Sequence, residues 1–405
     1  MSRISILVTN RNVFLAVVTI VSAVKLVLSA IEPASFELRD IIGLATSTRA
    51  PIGPWVALYP PLYGHITNST ELQAWMLTPP PGMGVGMQVT SLLFRLPVFV
   101  FDLATAVLLY YTVKRMTSPI EARLASLVWF VNPYSLFGIE LLAVPDAAAT
   151  FLVVLTFSLL ILNRPVLGGL ALGLGVWIKF FPILLLPPLM LYAHMNGLSR
   201  RNQAAVLCLG MIGLVGYLSW ILPFGSYYVT VYTPVTQPMP FLAGVSAVNG
   251  SAFFMILFYC LLGLFVKKNK TLLALLLPTL LVYVVVSNPY PQYLIWALPL
   301  MAVDVAVVKR SRSWLYAIFN GLAFVQWFFT SSGFLTPSGY SFLMIPLGGD
   351  ILPWTSRLVT GLLENYSSIL LLPLVSSLLY ACLLVYAVDV ARSWFGSSSI
   401  RMSEH

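Results

Sequence analysis

The chain has 405 residues, 59% of them hydrophobic and only 9% charged, with a mean hydropathy of +0.91. These values exclude an ordinary soluble domain and predict an all-α polytopic membrane protein. The net charge of +9 would point to nucleic acid in a soluble protein, but here the basic residues have to be read against a bilayer first.

In chain order, apolar runs predict twelve spans at 13–31, 89–112, 123–143, 147–163, 166–180, 182–195, 203–224, 248–266, 271–288, 291–308, 313–333 and 366–388. The first follows Arg3 and Arg11 as a signal peptide would, but it is long enough to span, and we read it as a retained helix. Cys208, Cys260 and Cys382 fall inside apolar runs without ligand spacing and predict neither a disulfide nor a metal site.

Sixteen of the 22 basic residues fall in alternate connections, which predicts both termini cytoplasmic and external loops at 32–88, 225–247 and 334–365. The domain organisation is a single integral membrane domain, 1–405. Six cations remain that topology does not explain: Lys25, Arg39, Arg49, Arg95, Lys179 and Arg357. A charge near the membrane centre costs about 2.5–3.5 kcal/mol even on the lenient insertion scale, so each calls for a partner or a function.

The first external loop is the polar island of the chain. Glu37 and Asp40 stand three residues apart and share a face if that stretch is helical; they suit a general base with an orienting charge, or a solvated amphipathic helix. Arg49 follows, and then Tyr59-Pro60-Pro61-Leu62-Tyr63-Gly64-His65, where two prolines fix an extended path and the aromatics suit the membrane interface.

In the second span Arg95 and Asp102 are seven residues apart and share a face, both pointing into the bundle. By depth Asp102 meets Lys25 of the first span as a structural pair, whereas Arg95 lies closer to the outer surface and suits an anionic ligand. Asn132-Pro133, Glu140 and Asp146 make the next outer turn acidic. Lys179, in Trp177-Ile178-Lys179-Phe180-Phe181-Pro182, sits at the outer interface either as a snorkelling cation or as a phosphate contact shared with Arg95 and Arg357. Asn288-Pro289-Tyr290-Pro291-Gln292-Tyr293-Leu294-Ile295-Trp296 forms an external turn in which Gln292 and Trp296 face one cavity if the tenth helix begins there.

Taken in order, these elements resemble the type C (GT-C) membrane glycosyltransferases, which take sugar from a polyprenyl-phosphate sugar on the external or luminal face. The series runs from an acidic first-loop residue and Tyr59-Pro60-Pro61-Leu62, through Arg95 and Asp102, Asn132-Pro133 and Asp146, and Lys179-Phe180-Phe181-Pro182, to Gln292-Tyr293-Leu294-Ile295-Trp296. It covers most of the chain from Asp40 to Pro299. Within that group it looks most like the mannosyltransferases: the catalytic subunit of GPI mannosyltransferase I, and the bacterial enzymes of phosphatidylinositol-mannoside synthesis. The chain departs from many relatives in its first-loop acids, which read Glu-Leu-Arg-Asp instead of a tight pair, so Glu37 and Asp40 both remain candidates.

The resemblance implies a GT-C-type bundle of about twelve helices, with short amphipathic helices in the first loop. It implies an inverting single displacement, in which Asp40 or Glu37 takes the proton of an acceptor hydroxyl. Polyprenyl phosphate then leaves toward Arg95, Lys179 and Arg357, with Arg49 or His65 as further contacts. Tyr59, Tyr63, Asp146, Gln292, Tyr293 and Trp296 complete the implied substrate site. No metal or cofactor is implied, since the lipid-phosphate sugar is a co-substrate; the acceptor is lipid-linked or glycan, and a small membrane subunit is a further candidate partner. The expected setting is a prokaryotic cell membrane or the endoplasmic reticulum. A secondary transporter and a non-catalytic lipid-scaffold subunit are the competing classes; the first should show inverted repeats and helices broken near the midplane, whereas the sequence shows no convincing internal duplication and carries its candidate site residues on the outer side.

Overall fold

The computed structural model describes residues 9–30, 85–139, 146–221, 255, 258–259, 272–286, 291–308, 312–330 and 372–396. Among them all regular structure is helical. The order is α1 (Arg11–Ala30), α2 (Val85–Met116), α3 (Pro119–Phe130), α4 (Pro133–Gly138), α5 (Asp146–Ile161) and α6 (Pro165–Ile178). A 3-10 turn, Phe181–Leu185, leads into α7 (Leu186–Met195), followed by α8 (Arg200–Ile221) and α9 (Leu272–Val286). A second 3-10 segment, Pro291–Trp296, precedes α10 (Leu298–Val303), which continues as a π turn over Asp304–Val308; α11 (Ser313–Thr330) and α12 (Leu372–Gly396) complete the series.

Among the described residues, three helical stretches are long and apolar enough to cross a membrane by length and composition: Arg11–Ser29, Arg95–Met116 and Arg200–Ser219. The other apolar helices are shorter. The 16 residues of α5 rise about 24 Å, less than the ~30 Å of a hydrocarbon core. The twelve expected spans are therefore not all matched by helices of full spanning length, and 248–266 lies outside the described residues except at isolated positions.

Proline explains much of the difference. The span expected at 123–143 is cut at Asn132, because Pro133 cannot donate to the preceding turn and instead begins α4. Asn132 ties this break to α11, donating to the Tyr316 hydroxyl at 2.8 Å and to Asn320 Oδ1 at 2.5 Å. Ser135 Oγ donates to carbonyls of Trp129 and Asn132, each at 3.0 Å, and so covers part of the exposed end of α3. At its other end α3 starts as the sequence dictates: Ser118 accepts from the Ile120 amide at 3.2 Å, Pro119 follows it, and Glu121 occupies the first turn.

Side-chain contacts fix the relative directions of α1, α2, α5 and α6. Along α1 and α2, Phe14 stacks on Tyr110 while Lys25 meets Asp102, so the two are antiparallel. Phe101 lies by Phe151, and Thr112 Oγ1 is 2.6 Å from Ser158 Oγ, so α2 and α5 run parallel. Helix α6 returns against α5, with Lys179 reaching Asp146. This arrangement gathers the C-termini of α1 and α6 and the N-termini of α2 and α5 at one end of the bundle. Helix α5 is buried nearly all round, as expected of a central apolar helix.

Helix α6 runs parallel to α8, and glycines bring the two backbones together. A Cβ on Gly213 would lie 2.1 Å from the Gly173 carbonyl oxygen, and one on Gly173 would lie 2.3 Å from that of Leu209. Only glycine fits this seam, a close approach of the kind small residues permit between membrane helices.

The opposite end is held by a second buried network. Both Asp304 oxygens accept from Arg312 Nη1, at 2.6 and 2.8 Å, and the Tyr386 hydroxyl donates to Asp304 Oδ2 at 2.8 Å. Arg312 Nε reaches Asp389 at 2.7 Å. Arg312 is only 1% exposed and joins the π turn to α12.

Candidate active site

Asp146 opens α5, where the helix dipole favours a carboxylate, and it is fully buried. Three alanines follow it, leaving room for neighbours to close over the carboxyl. Lys179 stands at the end of α6 in an extended conformation (φ −148°, ψ 142°), which turns the chain toward Phe181–Leu185. Its ammonium donates to Asp146 Oδ2 at 2.7 Å.

Trp296 reaches the other oxygen. Its Nε1 donates to Asp146 Oδ1 at 2.5 Å from the end of the second 3-10 segment. The indole lies between two aromatic rings: Phe181 is parallel at 3.9 Å between centroids and 5°, and Tyr283 of α9 lies at 5.9 Å and 14°. Three elements thus meet at one carboxylate, and two more supply the rings that stack on Trp296. A buried carboxylate without partners would be strongly disfavoured, and here a cation and an N–H each take one oxygen.

Arg95 lies at the same end. It is fully buried, and its Nη1 donates to the carbonyl oxygens of Leu28 (3.1 Å) and Ser29 (3.4 Å), the last turn of α1. A guanidinium there satisfies carbonyls that the helix leaves open and complements its dipole. Two turns deeper, the expected Lys25–Asp102 pair is present with both side chains fully buried. The ammonium also lies 3.5 Å from Ser135 Oγ and 4.8 Å from the Phe130 ring centroid.

Of the residues singled out in the sequence, the structure brings Asp146, Lys179 and Trp296 into direct contact and sets Arg95 against α1. Glu37, Asp40, Arg49, Tyr59, Tyr63, His65 and Arg357 lie outside the described residues, as do the side chains of Gln292 and Tyr293. The backbone of 291–296 is a 3-10 helix, in which positions three apart eclipse. It does not provide the four-residue α-turn expected to align Gln292 with Trp296. Of the two rings around Trp296, Tyr283 was not singled out in the sequence, where it is an ordinary aromatic of an apolar run, and Phe181 entered only as part of Lys179-Phe180-Phe181-Pro182.

Residues 82–227 match the family model described as dolichyl-phosphate-mannose-protein mannosyltransferase. The match takes in α2 to α8, and with them Arg95, Asp102, Asp146 and Lys179; it includes neither the Glu37–Asp40 stretch nor Trp296. No curated protein and no solved structure matches the chain.

Proposed function

We propose that the chain is a membrane glycosyltransferase that moves a hexose, mannose in the first instance, from a polyprenyl-phosphate sugar to a hydroxyl of a lipid-linked or glycan acceptor. The observation that carries this reading is the match of residues 82–227 to a dolichyl-phosphate-mannose-protein mannosyltransferase model. The helices under that match supply the Asp146–Lys179 pair. That pair lies at the bundle end where α1 finishes and α2 begins, the two helices that bracket the first loop. Glu37 is seven positions beyond Ala30, a reach of at most about 25 Å from the end of α1.

In the proposed mechanism Asp40 or Glu37 accepts the proton of the acceptor hydroxyl as its oxygen attacks the anomeric carbon. The bond from that carbon to the phosphate oxygen breaks, its electron pair leaves with polyprenyl phosphate, and the configuration inverts. The leaving phosphate is met by cations of the chain, with Lys179 foremost among the described residues because its side chain is 22% exposed. Arg49, His65 and Arg357 are further candidates. Arg95 serves the site by holding the end of α1. The active face is external or luminal, following the alternation of basic residues.

The test is incubation of purified protein with several polyprenyl-phosphate sugars and a membrane lipid extract, with products read by mass spectrometry. The expected result is a new glycoside formed from the mannosyl donor. Absence of any glycosyl product, together with solute uptake in proteoliposomes, would overturn the reading in favour of a transporter.

A further inference from the structure

We propose that Trp296 is a positioning residue that acts through Asp146 to aim the Lys179 ammonium at the phosphate of a polyprenyl-phosphate lipid. The inference rests on the transferase reading and deepens it. Exposure separates the three residues: Trp296 is 2% exposed, Asp146 is fully buried, and the Lys179 side chain is 22% exposed. Only the lysine can meet a ligand directly.

The carboxylate explains the arrangement. A lysine side chain has four rotatable bonds and at a helix end would sample many positions, so an ordered ammonium needs a fixed acceptor. Asp146 is such an acceptor, because it is rooted in the first turn of a helix buried nearly all round. Both of its oxygens need partners in a buried site. If both turned to Lys179, the ammonium would be drawn inward over the carboxyl. The Trp296 N–H takes Oδ1, so of the two carboxyl oxygens it is Oδ2 that receives the Lys179 ammonium, at 2.7 Å.

Trp296 is in turn immobilised by stacking between Phe181 and Tyr283. Phe181 is two residues from Lys179, so the stack also fixes the turn that carries the lysine. The indole N–H is therefore a rigid donor that sets the carboxyl orientation, and through it the ammonium.

The experiment measures binding of a short-chain polyprenyl phosphate, without sugar, to purified protein in detergent, alongside thermal melting. Trp296→Phe keeps the aromatic stack and removes only the N–H. Wild type should bind the lipid phosphate, and Lys179→Gln should bind about tenfold more weakly, the scale of one charge-assisted contact. Trp296→Phe should lose about three- to tenfold, Lys179→Arg should restore most binding, and Trp296→Phe in the Lys179→Gln background should cost nothing further. Binding of Trp296→Phe equal to wild type, losses that multiply in the double variant, or no binding by wild type would each overturn the proposal. If Trp296→Phe does not fold, Asp146→Asn takes its place with the same expectation of no further loss beside Lys179→Gln.

In transfer assays the same variant should raise the donor KM while kcat stays within about twofold. Wild type that binds the lipid phosphate with this pattern but transfers no sugar overturns the transferase reading and leaves the positioning role intact. Transfer by wild type that Trp296→Phe leaves unchanged overturns only the positioning role.

Discussion

Lys25 and Asp102, 77 residues apart in the sequence, form an ion pair in which neither side chain has any exposed surface. Removing one partner leaves the other charge buried and alone, a loss of about 3–5 kcal/mol, whereas replacing both with apolar residues of similar volume avoids that penalty. Lys25→Met and Asp102→Leu should therefore each lower the melting temperature in detergent sharply, and the double variant should recover most of the loss. Additive losses in the double variant would show that the pair itself is not what stabilises this contact.

The α6–α8 seam gives an opposite pair of glycine substitutions. Gly213→Ala would place a Cβ 2.1 Å from the Gly173 carbonyl oxygen, so the helices must separate, at a cost of about 1–3 kcal/mol or more. Gly321 on α11 has no atom within 4 Å of the corresponding Cβ, and Gly321→Ala should be neutral or raise stability by about 0.5–1 kcal/mol. Melting curves of the two variants read both signs.

The Asp304 network predicts a graded series. Arg312→Gln strands a fully buried carboxylate and should cost about 3–5 kcal/mol. Tyr386→Phe removes one hydrogen bond to the same group and should cost about 1 kcal/mol. Arg200→Gln, at an exposed position, should stay within about 0.5 kcal/mol of wild type. Denaturation midpoints measured side by side check the order.

For the reaction itself, Asp40→Asn should reduce sugar transfer by about 10²–10⁴-fold with expression unchanged, the usual weight of a general base. Glu37→Gln should have the smaller effect. The reverse order in product-formation rates would assign the base to Glu37, and full activity in both variants would remove a first-loop carboxylate from the mechanism.

The relative directions of α1, α2, α5, α6 and α8 agree with the alternation of basic residues along the sequence, and the Lys25–Asp102 pair was legible because depth in the membrane follows from position along a span. Asp146, Lys179 and Trp296 stood out one by one as polar groups in an apolar chain. Their meeting did not, because Trp296 lies 150 residues from Asp146 and spacing carries no information at that separation. The contacts of Arg95 with the end of α1 were hidden for the same reason, because the carbonyls it binds lie 66 and 67 residues earlier. The burial of Arg312 was not legible either, because a cation at a helix end satisfies the topology rule whether or not it is buried. The glycine seam did leave a readable trace, since Gly169-Leu170-Ala171-Leu172-Gly173 places two glycines one turn apart on α6. Its partner helix could not be named without the fold.

The partners of Asp146 also differ in when they are made. Lys179 follows it by 33 residues, so a growing chain can neutralise this carboxylate as soon as α5 and α6 pair. Trp296 emerges much later, after α7, α8 and α9. The acid is thus protected early by charge and oriented late by a single N–H, and a chain interrupted between the two would hold a neutralised carboxylate without its final aim.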